Sequence, residues 1–137
     1  MSTPEPSQTV VVKSSHYCFA CGPANESGLR MKVVPWEDGC RAVFTPLRRH
    51  EGYADHTHGG ILATLLDEAI VWAARFKGFN AVTAELTVRY KKPVPLNEPV
   101  NVIGRVVREH GRLVHGESTI SNDAGEVLVT ASAKLIR

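Results

Sequence analysis

The stretch ADHTHGGILATLLDEAIVWAAR, residues 54–75, carries two adjacent carboxylates, Asp67 and Glu68, inside its most apolar run. A buried carboxylate requires solvent, a partner or a proton. Just upstream stands His56-x-His58 followed by Gly59 and Gly60, with Asp67 nine positions after His58. If a helix begins there, its first turn offers unpaired N–H groups and a partial positive charge. The two glycines let a carbonyl oxygen approach that backbone with no Cβ in the way. A carboxylate two turns on, near the azimuth of Gly60, is placed to activate water or to attack directly. Donor and base together are what hydrolysis of an activated acyl group needs.

Other constellations are weaker. His56-x-His58 with His50 has the look of a metal site, but no third and fourth ligands follow, so no metal is assigned. Cys18-x-x-Cys21, within HYCFACG, is half a zinc site even with His16 or Cys40 counted. Without a βαβ context it is not a redox motif either, and it reads as a turn with two semi-buried thiols. Glu68, 100° round the helix from Asp67, reads as structural or as a supporting acid. The plain alternative for both acids is a solvated stripe with Arg75 as counterion.

These residues need elements to hold them. Residues 58–77 form the predicted helix, closed by Gly78 and Asn80. Ile61, Leu62, Leu65, Leu66, Ala69, Ile70, Trp72, Ala73 and Phe76 cover about half of its cylinder, and the acids share the remaining stripe with Thr64, Val71 and Arg75. Before the helix, LRMKVVP (29–35) and CRAVFTP (40–46) read as strands joined by a turn at WEDG. After it, AVTAELTVRYKKP (81–93) alternates, with Val82, Ala84, Leu86, Val88 and Tyr90 on one face and Thr83, Glu85, Thr87 and Arg89 on the other. Three further strands follow, with turns at His110-Gly111 and Asp123 to Gly125. The plan is α+β: an antiparallel sheet of about six strands wrapped around one long helix.

Composition agrees. At 137 residues, 43% hydrophobic and 22% charged, the chain is long enough for one ordinary domain. Residues 1–9, rich in Ser, Thr and Pro, are expected to fray, leaving 10–137 as that domain. A net charge of +2 argues against a nucleic-acid partner. The opening residues lack the basic and apolar runs of a signal peptide or membrane span. Three cysteines, an odd count, suit a reducing, cytoplasmic setting.

The order of elements resembles the hotdog fold, and the motifs sharpen the match. HTHGGILATLLDEA resembles the His-Gly-Gly…Asp/Glu signature of PaaI-type acyl-CoA thioesterases, in the 4-hydroxybenzoyl-CoA thioesterase superfamily. VTAELTVRYKKPVPLNEPV is similar to the strand that follows the helix there. The resemblance implies an acyl-CoA thioesterase without metal or organic cofactor, working as a homodimer or tetramer with its site between two subunits. It places Gly59 N–H on the thioester carbonyl, Asp67 as general base or nucleophile, Thr83 beside the attacking water and His58 at the entrance. Gly60, His56, Asn25 and Glu68 would line the substrate, a small, aromatic or medium-chain acyl group. Arg89, Lys91 and Lys92, with Arg105 and Arg108, would meet the coenzyme A phosphates. Some relatives carry Asn or Gln six residues before the His; here Gly52 stands there, with His56, Asp55 or Asn25 as replacements. That gap keeps a non-catalytic acyl-CoA-binding hotdog protein as the alternative.

Overall fold

The computed structural model describes residues 12–137; the fraying expected for 1–9 lies outside the described residues. In chain order come β1 (Val34–Trp36), β2 (Gly39–Phe44), a 3-10 turn (Arg48–His50), α1 (Gly59–Phe76), β3 (Val82–Tyr90), β4 (Val100–His110), β5 (Leu113–Ser121) and β6 (Val127–Ile136). The strands form one antiparallel sheet in the order β1-β2-β4-β5-β6-β3. The helix packs across one face and carries the chain from β2 to β3, at the far edge. This is the α+β, helix-in-sheet architecture that the sequence implies. Among the described residues no helix is long and apolar enough to cross a membrane.

One strand assignment needs correction. Residues 29–33 are not part of β1, because Arg30 adopts a left-handed conformation (φ +51°) that breaks extended geometry. Leu29 and Met31 are buried all the same, with their N–H groups donating to Phe19 O and Ala20 O at 2.8 Å. They belong to an N-terminal segment that lies over the helix, with Ala20 in the core beside them.

Helix α1 starts one residue after His58, whose Nδ1 accepts the Gly60 N–H at 2.9 Å as an N-cap. It ends at Phe76, and Gly78 turns the chain at φ +91°. Leu62, Leu65, Leu66, Ala69, Ile70, Ala73 and Ala74 are its buried face. Phe76 is 38% exposed, packed at a tilt against Trp72 rather than sunk in the core.

The sheet can wrap this helix because one row of small residues runs beneath it. Cross-strand partners link Cys40, Gly104, Ser118, Ala131 and Val88 across β2, β4, β5, β6 and β3. Cys40 donates to Ala69 O at 3.0 Å, and Ser118 Oγ donates to Leu66 O at 2.9 Å. Gly104 lies so close that a Cβ would stand 2.5 Å from Ala69 O. We therefore expect Gly104→Ala to cost at least ~1–3 kcal/mol, because the obstacle is helix backbone that cannot rotate aside. Thermal unfolding measures this, and an unchanged Tm would contradict the packing.

Candidate active site

The helix N-terminus is built by hydrogen bonds from three directions. Thr57 N–H donates to Val94 O and His58 N–H to His50 O, both at 2.8 Å. The N–H groups of Ile61 and Leu62 turn back to His58 O, and that of Gly60 is taken by the His58 ring. Among the described residues no acceptor in the chain meets the Gly59 N–H. The one free donor of this turn is therefore the one that the motif singles out. It borders a cleft of about 490 Å³ lined by Glu51, Gly52, Tyr53, His56, Thr57, His58 and Gly59.

Because His58 Nδ1 accepts a hydrogen bond, the ring of a neutral His58 carries its proton on Nε2. Gly52, where some relatives carry Asn or Gln, sits tight against His58: a Cβ there would stand 3.0 Å from His58 Cα, so a side chain would require the backbone to shift by a few tenths of an ångström. His50 is structural. It is buried, accepts the Leu47 N–H on Nδ1 at 2.9 Å, packs on Phe44, and is held below the usual histidine range by burial and by Arg49.

Asp67 is half-buried and accepts a 2.7 Å hydrogen bond from Thr83 Oγ1. Simple alternation put Thr83 on the face opposite Leu86 and Val88, and the structure corrects this. The register shifts between Thr83 and Glu85, so Thr83 pairs with Leu135 while Leu86 and Val88 pair with Ala133 and Ala131. All three β6 partners are buried, and the bulge at Ala84 turns Thr83 inward to the acid. Glu68 points elsewhere: it accepts from Trp72 Nε1 at 3.1 Å and lies 3.9 Å from Cys18 Sγ. Arg75 is no counterion to either acid; it stacks over Trp72 with 4.4 Å to the ring centroid.

The remaining predicted residues disperse. The Asn25 amide serves its own loop, donating to Tyr17 O and accepting from Ser27 N. His56 borders both the Gly59 cleft and a second one containing Lys92, Pro93, Pro95 and Asn122. Lys92 pairs with Glu126, Arg105 with Glu117 at 3.3 Å. Arg89 sits on β3 and Arg105 and Arg108 on β4, three strand spacings apart, or about 14 Å. They form no single patch. Burial, reinforced by the neighbouring Glu68, pushes the Cys21 thiol up to about 12, so it is no thiolate nucleophile at neutral pH.

Two residues escaped the sequence reading. Tyr90, the last of β3, donates its hydroxyl to Gly59 O at 2.7 Å and so ties the start of α1 to the edge strand. Thr57 lines the cleft, and its buried hydroxyl has no partner among the described residues. Tyr90 is signalled only by standing three residues before Pro93 at the end of its strand, and Thr57 by nothing beyond lying between two histidines.

Comparison with known proteins bears on the family and the fold. Over 93 residues the chain is 33% identical to acyl-coenzyme A thioesterase THEM4 of Xenopus laevis, a match that covers 68% of this chain and 42% of that one. The chain spans about two-fifths of the length of the curated relatives it matches. Its fold superposes on the thioesterase superfamily protein RHA08564 with a TM-score of 0.85 at 27% identity, covering 88% of this chain and 63% of the other. On Escherichia coli PaaI, of the phenylacetic acid degradation operon, the TM-score is 0.74 at 19% identity, over 80% of this chain and 84% of that one; this match speaks for the fold alone. The family model for the thioesterase superfamily matches residues 54–129, which hold the His-Gly-Gly turn, all of α1 and β3 through β5, and the chain belongs to that superfamily.

Proposed function

We propose that the chain hydrolyses acyl-CoA thioesters to a free acid and coenzyme A, as a homodimer or a higher assembly of dimers. The observation that carries this reading is the pairing of an unclaimed Gly59 N–H at a helix start with an Asp67 carboxylate oriented by Thr83. The N–H, backed by the helix dipole, polarises the thioester carbonyl and stabilises the oxyanion. Asp67 takes a proton from water, or attacks the carbonyl itself. Thr57 and His58 line the cleft beside the Gly59 N–H, and in this reading they shape the entrance for the substrate.

Distance favours a site built from two copies. Gly59 and Asp67 are eight residues apart on one helix, hence about 12 Å along its axis. One carbonyl cannot accept from the first and be attacked from the second across that gap, since each contact spans only about 3 Å. The edge strand β3 suggests the remedy. Near its start Thr83 holds Asp67, and at its end Tyr90 holds Gly59. Nine residues long and unpaired on one side, β3 is an edge that a second copy can cover. Antiparallel β3–β3 pairing brings Asp67 of one protomer towards Gly59 of its partner, closing two equivalent sites.

In this reading Arg89, Lys91 and Lys92 lie along β3 and its exit, where they meet phosphates of coenzyme A. His56 and Asn25 contact the substrate from loops, and Glu68 supports the helix rather than the chemistry. The three free cysteines fit a cytoplasmic setting, and 10–137 acts as one domain. The test is thiol release from a panel of short, aromatic and medium-chain acyl-CoAs. Saturable release from at least one class is expected, and the panel identifies the acyl group. If no thioester is cleaved while one still raises Tm, the chain is a binding protein instead.

A further inference from the structure

Across α1 from the proposed base lies a second constellation that this reading does not use. Cys18, Cys21 and Glu68 are all half-buried, and one donor atom from each lies within 4.8 Å of the others. The thiols come from one turn, fastened by Gly22 N–H to Cys18 O at 2.8 Å and Ala24 N–H to His16 O at 2.9 Å. The carboxylate comes from the middle of α1, fifty residues away in sequence. Its Oε1 lies 3.9 Å from Cys18 Sγ. In a tetrahedral zinc site, metal–sulfur bonds of about 2.3 Å and metal–oxygen bonds of about 2.0–2.2 Å set donor–donor separations of roughly 3.5–3.8 Å. Modest side-chain rotation closes the difference. Trp72, one helical turn on, donates Nε1–H to the same carboxylate at 3.1 Å, the kind of outer contact that orients a metal ligand.

We propose that Cys18, Cys21 and Glu68 bind one zinc ion per chain, clamping the N-terminal segment onto the middle of α1. Zn²⁺ displaces the two thiol protons to solvent as it binds, and the resulting thiolates with a carboxylate select a soft-tolerant divalent cation over Mg²⁺ or Ca²⁺, the fourth position falling to water. Half a zinc site is all that Cys-x-x-Cys supplies from sequence; folding adds the third ligand. The clamp stands apart from the proposed base: Asp67 turns the other way, to Thr83. It stands whether or not the chain cleaves thioesters.

The test uses the full chain, reduced and stripped of metal. Titration with Co²⁺ is expected to produce sulfur-to-cobalt charge-transfer absorption saturating at one ion per chain, and Zn²⁺ to displace it and raise Tm by several degrees. Cys18→Ser and Cys21→Ser abolish the absorption and the Tm response. Trp72→Phe, which leaves all three ligands, weakens Zn²⁺ binding roughly tenfold or more. No charge-transfer band and no Tm response in the wild-type chain overturns the proposal without recourse to any variant. A band that survives both serine substitutions also overturns it, by placing the metal on other residues.

Discussion

Gly59→Pro is expected to lower turnover by at least about 100-fold while leaving the protein folded, the usual size of the loss when one oxyanion donor is removed. Proline deletes the Gly59 N–H and nothing else of consequence. Position 59 is the first residue of α1, where proline's fixed φ suits a helix and its missing N–H breaks no helical bond. The preceding residue already has what proline demands, with His58 at φ −60° and ψ 133°. A Cβ at 59 would meet the Tyr90 ring at 3.5 Å, an ordinary contact. Thiol release and Tm should therefore separate, the first collapsing and the second holding. Turnover near the wild-type value would remove Gly59 from the chemistry.

Asp67→Asn should be as damaging, about 100-fold or more, because the amide keeps the shape and the Thr83 contact but cannot take a proton. The two variants together also test where the site is. If Asp67 of one protomer serves the Gly59 of its partner, a mixed dimer of Asp67→Asn and Gly59→Pro chains has one doubly damaged site and one intact site. Co-refolded in equal amounts, two inactive proteins should then return about a quarter of wild-type activity, since half the dimers are mixed and half their sites are whole. A site contained within one chain gives no recovery at all. Thiol release before and after co-refolding distinguishes the two directly.

The helix, its cap and the spacing from His58 to Asp67 are legible in the sequence because local rules govern them. A 3.6-residue period, a capping residue and a glycine stop all act within a few positions. β3 to β6 are legible for the same reason. Thr83 is not, because strand parity holds only until a bulge intervenes, and nothing local at Ala84 announces one. Glu68 is ambiguous as long as its neighbours in space, Cys18 and Cys21, are fifty and forty-seven residues away. The basic residues mislead for a related reason: Arg89 and Arg105 are close in the chain, but two whole strands separate β3 from β4 in the sheet. Arg30 hides the end of an apparent strand, since a single left-handed residue has no signature in an apolar run.

The row of small side chains beneath α1 bears on how such a protein can change its taste in substrates. Cys40, Gly104, Ser118 and Ala131 leave almost nothing to trim, and Gly104 already touches helix backbone. Selection for a bulkier acyl group cannot hollow out space on that side of the helix, and enlarging any of the four would lever the helix off the sheet. Tolerance for size must be set where side chains still have volume to give up, around the cleft at 51–59 and along β3, where a second copy would meet it. The middle of the molecule is thereby held constant, and its margins are left free to diversify.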